Sequence, residues 1–350
     1  MSKKNFIVTG GYGFIGSCLI KELLKDKNIS VCNIDKLSYS SSEESINELD
    51  YKNYSFERID ITETQKIKKI IQEFKPDGIF NLAAETHVDR SIDSPEAFIQ
   101  SNINGTFVML NESYKYWRLL PEIKRDNFRF IQVSTDEVYG SLKDYETPFN
   151  EESPYKPNSP YSASKAASDH LVRSWVKTYS FPAIITNTCN NYGPWQFPEK
   201  LIPLVISKCL KGEKIPVYGS GLQIRDWIRV EDHVSGLIKV FDNGTLGEKY
   251  NIGAMSELKN IEVIHFICDI LDQLEPEGYP YRDLIEFVDD RPGHDHRYGI
   301  DNSKIKSLGW DPAFSWENGL IDVIEWYLKN KNFLVSKGEN IYSGERLGKL

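Results

Sequence analysis

Phe6-Ile7-Val8-Thr9-Gly10-Gly11-Tyr12-Gly13-Phe14-Ile15-Gly16, followed by SCLIKELLK at 17–25, is the stretch whose reading decides the fold. A β-branched run ends at Thr9 and helical periodicity begins at Phe14. Between them, Gly11, Gly13 and Gly16 match G-x-G-x-x-G, and Gly10 adds a second register, G-x-x-G-x-x-G. With 23 glycines in the chain such spacing arises by chance, so the glycines alone carry little. A strand before them and a helix after them supply the physics. Glycines there permit a tight turn, close backbone approach to a pyrophosphate, and close packing of helix on strand. The helix N-terminus offers free N–H groups and the positive end of its dipole. Asp35 closes the next strand, 19 residues beyond Gly16. A carboxylate there accepts hydrogen bonds from a ribose diol and repels a 2′-phosphate, which favours NAD over NADP; Lys36 beside it argues the other way. Asp60, at the end of the third strand, is placed for the adenine side. The plainer alternative is a structural glycine turn with two acids serving as helix caps.

Working outward, short apolar runs at 6–9, 30–34, 55–59, 78–82, 128–134 and 183–188 alternate with helical patterns at about 14–26, 63–75, 96–118 and 161–179. This alternation predicts an α/β fold, a Rossmann-type doubly wound parallel sheet covered on both faces. Tyr51–Tyr54 has little regular pattern, and 140–160, with acids and prolines, reads as an exposed loop. Beyond about 190, Pro, Gly and Trp punctuate shorter elements, with helical patterns at about 199–211, 231–242, 260–273 and 316–331. A smaller, mixed α/β C-terminal lobe packed on the first is expected.

Composition narrows the class. Among 350 residues, 42 basic against 51 acidic give a net charge of −9, which argues against a nucleic-acid binder. No apolar run approaches the ~18–20 residues of a membrane span. Met1-Ser2-Lys3-Lys4 leads into FIVTG without a signal-type stretch, so a cytoplasmic protein is expected. Five cysteines (18, 32, 189, 209, 268), never as CxxC, read as small buried hydrophobes and not as a disulfide frame or a zinc site.

Tyr161 and Lys165 stand four apart on a helical pattern and so share a face. Tyr139/Lys143 and Tyr327/Lys331 have the same spacing, so spacing alone proves nothing. Only Tyr161 opens a long amphipathic helix, with Ser159-Pro160 as cap and first turn. A tyrosine of ordinary pKa ~10 is a poor base at neutral pH, and a neighbouring ammonium stabilises its phenolate. The alternative is a surface i,i+4 contact. Ser134-Thr135-Asp136-Glu137 leaves the strand FRFIQV, at the end of a doubly wound sheet that faces the ligand crevice. Two adjacent carboxyls there allow one neutral acid and one ionised base; a helix cap or a solvated turn is the competing account.

STDEVYG at 134–140, YSASKAASDHLV at 161–172, NNYGPWQFPEKLIP at 190–203, IRDW at 224–227 and DRPGHDHRYGID at 290–301 resemble the dTDP-glucose 4,6-dehydratase family of extended short-chain dehydrogenase/reductases, in order and over nearly the whole chain. The Thr-Asp-Glu triplet is the specific part, since relatives that epimerise or decarboxylate usually lack it. The resemblance implies a lyase that converts dTDP-glucose to dTDP-4-keto-6-deoxyglucose with tightly bound, recycled NAD+, in deoxysugar biosynthesis such as the rhamnose pathway. Residues 1–187, with about 228–255 returning, are expected to bind NAD, and 188–350 mainly the sugar nucleotide. By this resemblance, Tyr161 would take the 4-hydroxyl proton with Thr135 on that oxygen and Lys165 on the nicotinamide ribose; Glu137 would remove the C5 proton and Asp136 would protonate the departing 6-hydroxyl. The implied cofactor shell, beside the glycines, is Phe14, Ile15, Asp35, Lys36, Leu37, Ser38, Asp60, Ile61, Leu82, Ala83, Ala84, Thr86, Thr106, Tyr161, Lys165 and Asn191. The implied substrate shell is Thr86, Thr135, Asn190, Lys200, Leu201, Pro216, Val217, Tyr218, Arg225, Asn260, Asp290, Arg291, Pro292, Gly293 and His294. Lys200, Arg225 and Arg291 are the local cations that a diphosphate needs.

Two positions depart from the family pattern: Thr86, usually serine, and Arg229, commonly aromatic and here within reach of Glu231 or Asp232. His294-x-His296 invites a metal reading but has no third ligand at a recognisable spacing. Three other readings remain open: a dehydratase for another nucleotide sugar, a 4-epimerase, and a non-catalytic NAD-binding regulator. The helices at 96–118 and 161–179 carry Phe98, Phe107, Tyr114, Trp117 and Trp175, and because such helices pair across an axis in related enzymes, a homodimer is expected. No nucleic acid or membrane partner is expected.

Overall fold

The computed structural model describes residues 3–47 and 52–335; Met1, Ser2, Tyr51 and the end of the expected second lobe, 336–350, lie outside them. Six strands with helices between them come first: β1 (Lys4–Thr9), β2 (Ile29–Asp35), β3 (Tyr54–Arg58), β4 (Gly78–Asn81), β5 (Arg129–Thr135) and β6 (Ala183–Thr188). Then follow β7 (Asn190–Tyr192), β8 (Ile215–Tyr218), β9 (Ile224–Arg229), β10 (Lys249–Ile252), β11 (Glu257–Lys259) and β12 (Ile285–Val288). The seven-stranded sheet runs β10-β6-β5-β4-β1-β2-β3, parallel throughout, so β10 returns from the later half to pair with β6. Register follows the hydrophobic runs, with Phe6 opposite Val31 and Gly78, and Ile131 opposite Ile184.

Both faces of this sheet are covered, which is why its strands read as unbroken apolar runs. Ile7, Ile34, Ile79 and Phe130 form one buried cluster with Val172 of the Pro160–Tyr179 helix. Val8, Phe80, Ile131 and Ile184 form the opposite one with Leu19 and Leu237. A third cluster, including Ile202, Val263, Ile267, Leu320 and Tyr327, holds the second lobe, whose sheets are β11-β9-β7 and β12-β8.

Two expectations change. The helix expected at 96–118 is interrupted by a π-helical segment, Ile99–Gly105, before helix resumes over Thr106–Trp117. Asn102 is held from outside: it accepts from the Glu85 amide (2.8 Å) and donates to the Glu85 carbonyl (3.0 Å) and to Ser164 Oγ (2.8 Å). The 140–160 stretch is no free loop. Leu142 N donates to Arg297 O at 3.0 Å and Phe149 N to Gly299 O at 2.9 Å. Arg297, paired with Glu257, also donates to the Glu146 carbonyl at 2.6 Å. One guanidinium thus satisfies carbonyls that would otherwise require water, and it ties the segment down as a strap.

Candidate active site

The strand order reverses between β1 and β4, and the C-terminal strand ends there border a cleft. Gly10 sits at φ +69°, and a Cβ on Gly16 would lie 2.2 Å from the Gly10 carbonyl oxygen. Only glycines allow this approach. The following helix, Phe14–Leu23, starts at Gly13 with no side-chain cap, so its first amides keep their capacity for an anion. Asp35, at the end of β2, accepts from Tyr12 N (3.0 Å) and Leu37 N (2.7 Å). Burial raises its carboxyl, and those amides pull it back. Lys36 Nζ is engaged by Glu85 at 2.9 Å, Ser101 at 3.1 Å and Asp60 at 3.8 Å. The residues present fit a dinucleotide, and the engagement of Lys36 weakens its case for a 2′-phosphate.

Gly10, Gly13, Phe14, Ile15, Gly16, Asp35, Lys36, Ser38, Asp60, Ile61, Leu82, Ala83, Ala84, Thr86, Tyr161, Lys165 and Asn191 all line this cleft. Gly11, Leu37 and Thr106 are not among its lining residues. Gly11 donates its amide to Asn33 Oδ1 (3.0 Å), Leu37 turns the chain at φ +61°, and Thr106 is buried at the start of its helix.

At the inner end, β5 delivers Ser134 and Thr135, and Asp136–Tyr139 makes a 3₁₀ turn. The Thr135 hydroxyl accepts from Glu137 N at 3.3 Å and donates to Asp136 Oδ1 at 3.2 Å. Asp136 Oδ2 is buried without a partner among the described residues. Burial, then the charges of Glu137 and Asp226, push the Asp136 carboxyl far above the carboxylate range. Burial raises Glu137 too, but Arg291, Arg225 and Lys200 oppose it. Both carboxyls are thus raised by burial, but only Glu137 has three cations set against that rise, an asymmetry of the kind an acid beside a base uses.

Tyr161 and Lys165 lie one turn apart on Pro160–Tyr179, whose start is fixed by Pro160 and a reciprocal Ser159/Ser162 capping box. Both are buried. The expected lowering of the phenol by the ammonium does not dominate. Burial and the Glu137 charge raise Tyr161 well above its ordinary value, with the Thr135 hydroxyl pulling down. Lys165 Nζ donates to the Val133 carbonyl at 2.7 Å.

A second cleft contains Lys200, Leu201, Pro216, Val217, Tyr218, Arg225, Asn260, Arg291 and His294. Thr86, Glu137, Asn190, Glu199 and Lys200 line both clefts, which therefore meet beside the Asp136/Glu137 pair; Thr135 lines the first. Arg291 donates to Asp89 at 2.8 Å, and Tyr218 OH donates to the other oxygen of that carboxylate at 3.0 Å. The Arg225 guanidinium lies 4.1 Å above the Tyr298 ring. Lys200 reaches the Thr86 carbonyl at 3.1 Å, so the change from serine to threonine leaves that contact in place.

Asp290, Pro292 and Gly293 are not among the lining residues; Asp290 instead accepts from Gln223 (2.9 Å) and pairs with His294 (2.6 Å). His296 pairs with Asp144, away from His294, and no cluster of three or more metal-ligand side chains forms among the described residues. Arg229 takes Glu231 (3.0 Å) and Asp322 (2.9 Å) and stacks over Phe314 at 4.1 Å. Asp232 instead accepts the Ala313 and Phe314 amides.

Two site residues, Glu199 and Tyr298, and one supporting residue, Asn102, escaped the sequence reading. Glu199, almost wholly buried, accepts from Tyr39 OH at 2.9 Å. Tyr298 OH donates to Asp295 at 2.6 Å and lies 3.5 Å from Glu137. Both stand inside quoted motifs, where attention to the neighbouring cations hid them. Asn102 carried no signal, because its importance comes from a π turn.

Residues 7–323 match the family model described as GDP-mannose 4,6 dehydratase. The chain is 49% identical over 348 residues to the dTDP-glucose 4,6-dehydratase of Salmonella typhimurium, covering 97% of this chain and 95% of the relative. Among solved structures, the Bacillus anthracis dTDP-glucose 4,6-dehydratase in complex with NAD superposes with a TM-score of 0.84 at 38% identity, covering 95% of this chain and 99% of that one. The Streptomyces venezuelae enzyme of the same name, with NAD and dTDP bound, gives 0.85 at 36% identity over 94% of this chain and 98% of that one.

Proposed function

This chain belongs to the dTDP-glucose 4,6-dehydratase family of NAD-dependent hydro-lyases, and from that membership we propose how its own residues divide the work. The overall reaction converts dTDP-glucose to dTDP-4-keto-6-deoxyglucose with loss of one water. When bound, NAD would supply a hydride acceptor for C4 and a hydride donor for C6, so the sum would be redox-neutral. Residues 1–187 with about 228–255 hold it, through the Gly10–Gly16 turn, Asp35 and Asp60; 188–350 mainly binds the sugar nucleotide.

Tyr161 removes the 4-hydroxyl proton, with Thr135 hydrogen-bonded to the same oxygen and Lys165 beside the nicotinamide ribose. Glu137 removes the C5 proton, which a 4-ketone makes acidic. Asp136 gives a proton to the 6-hydroxyl as it leaves as water, and Glu137, after exchange with solvent, later delivers a proton to C5. Lys200, Arg225 and Arg291 neutralise the diphosphate. The observation that supports this reading is the unequal pair: burial and the charges of Glu137 and Asp226 push the Asp136 carboxyl up, while Glu137, also raised by burial, faces three opposing cations. A 4-epimerase needs no second carboxyl for C5 chemistry.

Incubation with dTDP-glucose in D2O, without added NAD, tests it by mass spectrometry. The expected product has lost one water and carries one solvent deuterium at C5. No mass change, even with NAD supplied, rejects the substrate; turnover of a UDP-, CDP- or GDP-sugar instead would keep the chemistry and change the nucleotide.

A cytoplasmic homodimer completes the proposal. Ile99, Phe107 and Tyr179 are exposed apolar side chains on the helical layer of 95–117 and 160–179, whereas Phe98 is buried. Phe107 stands edge-on to Trp175 at 5.9 Å. Sedimentation at micromolar concentration would read a dimer; a monomer would remove that face from the proposal.

A further inference from the structure

The helix that presents Tyr161 and Lys165 presents a third titratable side chain one turn further on, at Asp169, which is 1% exposed. Its Oδ2 accepts three hydrogen bonds: from Ser134 Oγ at 2.7 Å, Tyr155 OH at 3.0 Å and Asn187 Nδ2 at 3.4 Å. Asn187 Nδ2 also donates to the Thr135 carbonyl at 3.1 Å. Asp169 is thereby tied to β5, β6 and the strap, directly behind the residues that deliver Thr135, Asp136 and Glu137. Lys165 donates to Val133 O on the same strand, and its i,i+4 neighbour on the helix is Asp169.

Resting on the dehydratase reading, we infer that Asp169 is a positioning residue, a buried counter-charge that keeps Lys165 an ammonium and locks the exit of β5 to the catalytic helix. A buried ammonium with no anion nearby loses its proton readily. Burial pulls Lys165 down, and the Asp169 carboxylate is the charge that raises it again. In the other direction, burial raises Asp169, and Lys165 and the three donors work against that rise. The titratable groups that interact with this carboxylate are Lys165 and Tyr161 on its own helix, Tyr139 on the 3₁₀ turn, Tyr155 on the strap and Lys249 of β10, with the charges of Asp136 and Glu151 acting in turn on Tyr139. Lys249 Nζ lies 4.7 Å from the Tyr155 ring centre and 5.5 Å from that of Tyr139, so its charge faces the rings that border Asp169.

The sign follows directly. Taking a negative charge away from an ammonium lowers the pKa of that ammonium, so activity requiring protonated Lys165 fails at lower pH. Wild type, Asp169→Asn, Asp169→Thr and Asp169→Glu are compared in kcat and KM for dTDP-glucose across pH 5.5–9.5, with circular dichroism to monitor folding. In the neutral variants the alkaline limb of kcat is expected to move down by about one pH unit or more, with KM within about threefold. Asp169→Glu, which retains the charge, is expected to restore the wild-type limb. A uniform loss of kcat with both limbs in place would overturn the inference, as would unfolding of both neutral variants while Asp169→Glu folds. If wild type itself gives no turnover, the dehydratase reading fails instead, and the two failures are distinct.

Discussion

The two clefts are built in opposite ways. The cofactor cleft is mainly backbone: a glycine turn, a bare helix N-terminus and the ends of parallel strands, assembled from residues close in sequence or fixed by sheet order. The second cleft, the proposed substrate site, is mainly side chain, with Asp89, Lys200, Arg225 and Arg291 brought from four distant segments: Arg291 is held by Asp89, Lys200 by the Thr86 carbonyl and Arg225 by the Asp295 carbonyl. A backbone turn tolerates little change of shape, because it has no side chain to rotate aside. A side-chain site tolerates changes of shape and is sensitive to charge and geometry.

This contrast orders the expected effects of substitution. The largest lies where the clefts meet: Glu137→Gln should lower turnover by about 10²–10⁴-fold while absorbance near 340 nm still reports reduced cofactor on the enzyme. Equal loss of both would mean that Glu137 acts in binding. Next, Gly16→Ala drives a methyl group toward the Gly10 carbonyl, so purified protein should retain at least about tenfold less NAD and lose about 1–3 kcal/mol of stability. Normal NAD content would show that the turn can yield after all. Arg291→Lys, at the rim of the side-chain site, should raise KM about 5–10-fold with kcat nearly unchanged, since an ammonium replaces the planar fork of donors. A fall in kcat alone would move Arg291 from binding into chemistry. The smallest effect belongs to Arg229→Phe, outside both clefts. Its partners Glu231 and Asp322 are substantially exposed, so urea denaturation should register about 1 kcal/mol or less.

The same contrast explains what could be read from the chain. The glycine turn, Asp35 and the helix from Pro160 were legible because each depends on local spacing and on which side of an element a residue falls. Tyr161 with Lys165 and Asp136 with Glu137 were legible as candidates, and family resemblance supplied their roles. The electrostatics were not legible, because what opposes the rise of Glu137 is a set of cations at 200, 225 and 291. Nor was the strap, where Arg297 meets carbonyls some 150 positions earlier. The π turn at Ile99–Gly105 escaped because Gly105, where a Cβ would lie 2.4 Å from Ile61 Cδ1, and Asn102 answer to neighbours across the fold and not along it.

The return of β10 to the main sheet has a consequence for synthesis. Until residue 252 has left the ribosome, β6 is the outer strand of a nascent sheet, its Ala183–Thr188 backbone unpaired on one side. An uncharged edge of that kind, AIITNT, recruits other chains. A fragment cut near residue 200, where the texture of the sequence changes, would therefore aggregate before it could serve as an isolated cofactor-binding module.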